Sequence, residues 1–122
     1  MMNESKISNA RITNVSLTME DHGCLTYFLT IESGGFVCGY GGFCLGHGYL
    51  GAKDFDAGSK GLEAMMRIMN VVGVERWEDL KGKYIRFVDN GLGSTIDTIG
   101  HIIENKWFNQ REFFSKGSES DA

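Results

Sequence analysis

Two stretches near the N-terminus alternate between apolar and polar residues, and this alternation constrains the fold more than any other feature. Within residues 6–20 and 24–32, the apolar residues occupy every second position: Val15, Leu17 and Met19, then Leu25, Tyr27, Leu29 and Ile31. A period of two places such side chains on one face of a β-strand. Turn-forming tripeptides follow at 21–23 and 33–35. We therefore expect residues 6–43 to form an antiparallel three-stranded meander.

The middle of the chain has the periodicity of an amphipathic helix. Its apolar positions follow a spacing of three and four residues: Leu62, Met65, Met66, Met69 and Val72. Ser59 can cap the start of this helix, and Gly73 can end it. Residues 74–83 favour a second, short helix. We expect the methionines to fill the core, with a homodimer face as the alternative.

The remaining segments complete the predicted fold. Residues 84–88 and 94–103 are typical of strands, and the Asp-Asn-Gly sequence at 89–91 predicts a turn between them. The predicted order is βββ-αα-ββ, an α+β domain with a mostly antiparallel sheet and two helices inserted between the third and fourth strands. We expect a single domain over residues 1–114 and a disordered polar tail over residues 115–122.

Composition excludes several classes of function. The 122 residues include 12 Lys and Arg against 16 Asp and Glu, a net charge of −4. Duplex nucleic acid requires a basic surface, so we expect no long nucleic acid as a partner. No apolar run reaches about 18 residues, so we expect no membrane span. Three cysteines, an odd number without a repeated spacing, indicate free thiols in a reducing cytoplasm.

Residues 35–51, GFVCGYGGFCLGHGYLG, contain seven glycines among aromatic residues, cysteines and a histidine. The last six residues spell GxGxxG, but a dinucleotide site needs a helix that starts at these glycines within a βαβ unit. The predicted helix begins eight residues later, which disfavours a Rossmann fold. Glycines also permit close packing of backbones, or let backbone N–H groups face an anion. The sequence leaves these two interpretations open.

Cysteine and histidine residues suggest a metal site or a nucleophile. Cys38, Cys44 and His47 form C-x5-C-x2-H, and His22 and Cys24 precede them. Only the Cys44–His47 spacing suits a structural zinc site, and buried free cysteine is the commoner outcome. No Cys–His pair is selected by spacing as a nucleophile and base. We therefore expect no metal, no cofactor and no enzymatic activity.

Residues 105–114, NKWFNQREFF, combine four aromatic residues with two cations. Aromatic residues with arginine are enriched in interface hot spots and in base stacking. We expect Trp107 and Phe108 to pack on their own domain in a C-terminal helical turn. Arg111 is the better ligand candidate, because its planar guanidinium suits phosphate.

Four segments resemble small proteins encoded by phages and prophages: ITNVSLTMEDHGCLTYFLTIESGG, GYGGFCLG, GLEAMMRIMNVVGVERWEDLKGKYIR and TIGHIIENKWF. Within that group, the size and the order of sheet, two helices and sheet are similar to the anti-Thoeris sponge family of the cyclic-ADP-ribose-capturing type. The resemblance spans roughly residues 6–114. It implies a non-enzymatic phage counter-defence protein in the host cell cytoplasm. Such a homodimer or hexamer would hold glyco-cyclic ADP-ribose, and in some members cyclic oligonucleotides.

The chemistry of such a ligand selects candidate binding residues. Aromatic planes suit adenine, and cations or N–H groups suit a pyrophosphate. The candidates are Phe43 and Tyr49 for stacking, Gly46, His47 and Gly48 for phosphate or ribose, Lys53 and Arg111 for charge, and Asn90 for ribose or adenine. The alternative is a phage inhibitor of a bacterial defence nuclease that acts by protein–protein contact, of the anti-CRISPR type. A hydrolase of the signal molecule is the third hypothesis.

Overall fold

The computed structural model describes residues 6–20, 23–48, 53–57, 59–89 and 96–120. The strands are β1 (Lys6–Glu20), β2 (Cys24–Ser33), β3 (Phe36–Gly41), β4 (Gly46–His47), β5 (Asp56–Ala57), β6 (Tyr84–Asp89), β7 (Thr98–His101) and β8 (Trp107–Asn109). The helices are α1 (Ser59–Val72) and α2 (Gln110–Ser120), with a 3₁₀ turn at Trp77–Leu80. In this part of the chain, no helix is long and apolar enough to cross a membrane.

All eight strands of the described residues join one sheet. Its order is β5-β4-β2-β1-β6-β7-β8, and β3 also pairs with β2. The pairings are antiparallel. The long strand β1 holds the centre because it pairs with β2 along one part of its length and with β6 along another. The predicted α+β class with a mostly antiparallel sheet is confirmed.

The core lies between one face of this sheet and α1. Its largest fully buried apolar side chains come from both layers: Ile12, Tyr27, Leu29, Ile31, Tyr40, Ile68, Leu80, Ile85 and Ile99. Ile12 lies opposite Ile31, and Leu29 lies opposite Tyr40, so neighbouring strands contribute to one continuous apolar surface. The alternation in β2 therefore correctly predicts its buried face. In β1 the prediction is wrong for Leu17 and Met19, which are 42% and 50% exposed, and the buried residues are Ala10 and Ile12.

Helix α1 has the predicted position but not the predicted buried face. Its buried residues are Gly61, Ala64, Ile68, Val71 and Val72. Leu62 and Met66, predicted to be core residues, are 65% and 64% exposed, so that part of the prediction is wrong. A Cβ atom on Gly61 would lie 2.7 Å from Cβ of Leu45. The first turns of the helix thus approach the sheet through Gly61 and Ala64, and the later turns bury Ile68, Val71 and Val72.

The C-terminal region also differs from the prediction. Trp107 and Phe108 lie in β8 rather than in a helical turn, because Phe108 pairs with Ile99 and Trp107 pairs with Gly100 of β7. The helix then continues to Ser120, where the sequence predicted a disordered tail from residue 115. Asn109 starts this helix, since its side-chain oxygen accepts a hydrogen bond from the Glu112 N–H at 2.9 Å.

Two predicted elements are shorter in the structure. The predicted helix over residues 74–83 is a single 3₁₀ turn at Trp77–Leu80. The predicted strand over residues 94–103 is confined to Thr98–His101, and residues 90–95 lie outside the described part. The predicted antiparallel pairing of this strand with β6 is present.

Candidate ligand pocket and cysteine–histidine cluster

The glycine-rich segment forms an arch on the edge of β2. Strand β3 pairs with β2 as far as Gly41. Five residues later, from Gly46, β4 pairs with β2 again. Gly41 and Gly42 have φ angles of 138° and 94°, which side chains disfavour. A Cβ atom on Gly41 would overlap the carbonyl oxygen of Tyr27. These glycines therefore let the chain leave β2 and return to the same strand.

An apolar pocket of about 440 Å³ opens beside this arch. Its wall consists of side chains from the end of the β1–β2 hairpin, the arch, the segment before β5, and α1: Met19, Leu25, Leu45, Phe55, Leu62 and Met65. Ser59 and His47 are the polar residues of the lining. The volume falls within the range of pockets that hold small molecules.

Three predicted ligand residues line this pocket, namely Gly46, His47 and Gly48. A Cβ atom on Gly48 would overlap the ring of Phe55. Glycine at this position therefore allows the aromatic ring to lie directly against the backbone. Of the two interpretations of this glycine run, Gly48 confirms close packing, and contact of its backbone N–H with an anion stays a prediction.

Among the described residues, the predicted ligand residues Phe43, Lys53 and Arg111 are not in the pocket lining. Phe43 stacks on Phe114, with 4.7 Å between ring centroids and 21° between ring planes. Arg111 pairs with Asp97 at 3.1 Å. Lys53 is exposed, two residues before Phe55. Tyr49 and Asn90 lie outside the described residues.

Sequence reasoning missed the apolar wall of the pocket. Leu62 and Met65 belong to the predicted helical stripe, but the stripe was assigned to the core rather than to a pocket. A signal was available in Gly61, since a glycine in the first turn of a helix indicates that another chain segment packs closely there. Met19 and Leu25 carried no comparable signal, because alternation does not distinguish the core from a pocket at the end of a strand.

The N-terminus of α1 forms one side of the pocket, where Ser59 and Gly61 contribute to the lining. The first turn of a helix presents unpaired N–H groups and a partial positive charge. No acidic residue occupies this first turn, so the turn itself has no side chain that would neutralise that charge. Lys60 is engaged elsewhere, with Nζ 4.0 Å from the centroid of the Phe113 ring.

Cys24, Cys44 and His47 form a compact cluster beside the pocket. Their sulfur and nitrogen atoms all lie within 4.8 Å of one another, and Sγ of Cys44 is 3.6 Å from Nε2 of His47. A hydrogen bond with Cys44 and, to a lesser degree, burial raise the pKa of the Cys24 thiol. Sγ of Cys44 also lies 3.3 Å from the carbonyl oxygen of Gly46, to which the thiol donates.

The sequence spacing favours Cys44 and His47 as a pair of metal ligands. The structure adds Cys24 as the third member of the cluster. The spacing of Cys44 and His47 suits a metal site, but the third member is Cys24 of β2 rather than Cys38. Cys38 lies in β3 opposite Ile31 and packs against the core. The arch at Gly41 and Gly42 breaks the strand alternation, and so separates the surroundings of Cys38 from those of Cys44.

Comparison of the chain with protein-family models, curated proteins and solved structures gives no match. The fold and the site define an α+β protein with a mostly antiparallel sheet, an apolar pocket and an adjacent cysteine–histidine cluster. Function is therefore argued from the chemistry of these two sites.

Proposed function

We propose that the protein binds a small cyclic nucleotide signal in this pocket and sequesters it without cleavage. In this proposal it is a phage counter-defence protein that acts as a homo-oligomer in the host cell cytoplasm. The observation that carries the proposal is the composition of the pocket. An apolar wall and the N-terminus of α1 meet in a cavity of about 440 Å³.

The apolar wall suits the base of a nucleotide. Phe55 is 65% exposed and lines the pocket, so its ring is available to stack on a planar base. Leu25, Leu45 and Met65 contribute further apolar side chains to the same pocket wall. A base that enters this wall exchanges contact with water for contact with apolar side chains, which favours binding.

The part of the lining at the start of α1 suits a phosphate. The N–H groups at the start of α1 can donate hydrogen bonds to an anion, and the helix dipole favours negative charge there. Ser59 of the lining adds a hydroxyl group. Lys53 is exposed and lies two residues before Phe55 in the sequence, so it is a candidate cation at the rim of the pocket. Local groups such as these suffice for a small anion even though the whole chain has a net charge of −4.

Sequestration requires affinity and slow release rather than a reacting group, so a preorganised pocket is sufficient. To test this, the protein is incubated with cyclic ADP-ribose isomers and cyclic oligonucleotides, and free ligand is removed. The protein is then heat-denatured and the filtrate analysed. Recovery of intact ligand supports the proposal. A converted product indicates a hydrolase. No depletion of any ligand contradicts the proposal and favours the anti-CRISPR-type inhibitor.

Two variants on one helix localise the binding site. Leu62 and Met66 are almost equally exposed, but only Leu62 is among the residues of the pocket lining. Leu62→Glu places a carboxylate where the ligand binds, so we expect affinity to fall by at least about tenfold, the equivalent of ~1.4 kcal/mol. Met66→Glu is the matched control and should retain affinity. Equal effects of the two variants, measured by isothermal titration calorimetry, would place the ligand elsewhere.

A further inference from the structure

We propose that Cys24, Cys44 and His47 form a zinc-binding site. The site stands on its own donor atoms and does not depend on what the pocket binds. Two thiolates and one imidazole are ligands that zinc prefers, and three protein ligands leave a fourth position open to water.

The distances within the cluster match a zinc site. Zinc lies about 2.3 Å from sulfur and 2.0–2.1 Å from nitrogen, so tetrahedral geometry places the two donor atoms about 3.5–3.6 Å apart. Sγ of Cys44 and Nε2 of His47 are 3.6 Å apart. Cys24 completes a triangle in which every donor separation is within 4.8 Å. The ion can therefore bind with small side-chain adjustments.

The backbone holds the three ligands in place. Cys24 and His47 are direct cross-strand partners of β2 and β4, an arrangement that brings their side chains together on one face. Two hydrogen bonds fix the segment around them. Leu45 N donates to Leu25 O at 2.7 Å, and Gly48 N donates to Gly23 O at 2.8 Å. Because the ligands are already close, zinc binding need not organise a flexible loop.

Carboxylates flank the ligands on the same face of the sheet. Glu20 lies opposite Cys24, and Asp56 lies opposite His47, so a row of four residues crosses β1, β2, β4 and β5. Negative charge on either side favours a cation between them. If Nε2 of His47 binds zinc, Asp56 is placed to accept a hydrogen bond from Nδ1, a common way to orient a metal-bound imidazole.

Access to the cluster also suits a metal ion. Cys44 and His47 are exposed, and Cys24 is half-buried. The ion can therefore enter from solvent, and the open fourth position can hold water. A cysteine buried in the core would lack this access to solvent and would not be available to an entering ion.

The test uses the full chain, treated with a chelator and kept reduced. Zinc is titrated by competition with a chromophoric chelator, and Co²⁺ is added separately as a spectroscopic probe. Cys24→Ser, Cys44→Ser and His47→Gln each remove one ligand. Cys38→Ser is the matched control, because it removes the third cysteine outside the cluster. Circular dichroism establishes that each variant is folded.

We expect one zinc ion per chain and a thiolate-to-cobalt charge-transfer band with Co²⁺. Each ligand variant should lose more than about 100-fold in zinc affinity, since loss of a ligand exceeds the effect of losing a neighbouring hydrogen bond. Cys38→Ser should bind like the wild type. Zinc should raise the thermal midpoint of the wild type and leave that of the ligand variants unchanged. Absence of zinc binding, or zinc binding by folded Cys24→Ser or Cys44→Ser as tight as that of the wild type, would overturn the proposal.

Discussion

Gln110 is a fully buried polar residue that links the last helix to the sheet. The Tyr27 hydroxyl donates a hydrogen bond to Oε1 of Gln110 at 2.7 Å, and both residues are 0% exposed. Nε2 of Gln110 donates in turn to the carbonyl oxygen of Ile96 at 3.5 Å. Buried polar groups are costly unless they are paired, so these hydrogen bonds make the position of α2 specific.

Replacement of Tyr27 by phenylalanine should show how much the stability of the protein depends on this hydrogen bond. The ring still fills the core, but Oε1 of Gln110 loses its donor, and we expect the free energy of unfolding to fall by about 1–3 kcal/mol. Chemical denaturation measures the change. Tyr84→Phe is the control, because Tyr84 is 61% exposed and should cost little. Equal losses from both substitutions would show that the buried hydrogen bond is not stabilising.

The contact between Tyr27 and Gln110 also shows how much of a single interaction can be predicted from the sequence. Alternation in residues 24–32 predicts that Tyr27 faces the core, and the structure buries it completely. The sequence gives no indication of Gln110 as its partner, because the two residues are 83 positions apart. Local periodicity determines which face a residue occupies. It does not determine which distant residue meets it there.

Elements with clear periodic patterns were predictable, and the two-residue strands were not. The bounds of β1 and α1 agree with the alternation over residues 6–20 and with the helix between Ser59 and Gly73. Strands β4 and β5 have two residues each and carry no periodic signal. The cysteine–histidine cluster depends on β4, because its pairing with β2 brings His47 to Cys24. The glycine run therefore indicated part of the site, but its third ligand required the strand register.

The pairing of β7 with β8 depends on a glycine. Trp107 lies opposite Gly100, and a Cβ atom on Gly100 would overlap the indole ring. The guanidinium of Arg86 lies over the Trp107 ring, 4.7 Å from the ring centroid. The indole thus contacts both the Gly100 backbone and the Arg86 guanidinium, which leaves it little room for adjustment.

Gly100→Ala should therefore displace Trp107 and destabilise the protein by about 1–3 kcal/mol. Denaturation curves give the loss, and the intrinsic fluorescence of tryptophan should change because the indole moves. The control is the same substitution in a Trp107→Leu background, where the clash is largely absent and the additional cost should shrink. An undiminished cost in that background would assign the effect to the backbone rather than to the indole contact.

At the scale of the whole molecule, stability combines an apolar core with ionisable groups inside it. Tyr27 and Tyr40 are both fully buried in the layer between the sheet and α1. Burial raises the pKa of each phenol above its ordinary value of 10.0, and for Tyr40 the charges of Tyr27 and Asp97 raise it further. The folded protein therefore keeps both phenols neutral at a pH where an unfolded chain would ionise them.

This difference predicts alkaline unfolding with a definite sign. Below about pH 10 both states hold the phenolic protons, so the two tyrosines add no pH dependence; above it only the unfolded chain releases them, and stability falls as pH rises. Thermal melts should show a decreasing midpoint above about pH 10, with tyrosinate absorbance of the buried rings appearing only on unfolding. Tyr27→Phe/Tyr40→Phe should be less stable at neutral pH yet lose less of its stability between neutral and alkaline pH. An identical alkaline decline in that variant would assign the effect to lysines and to the growing net negative charge instead.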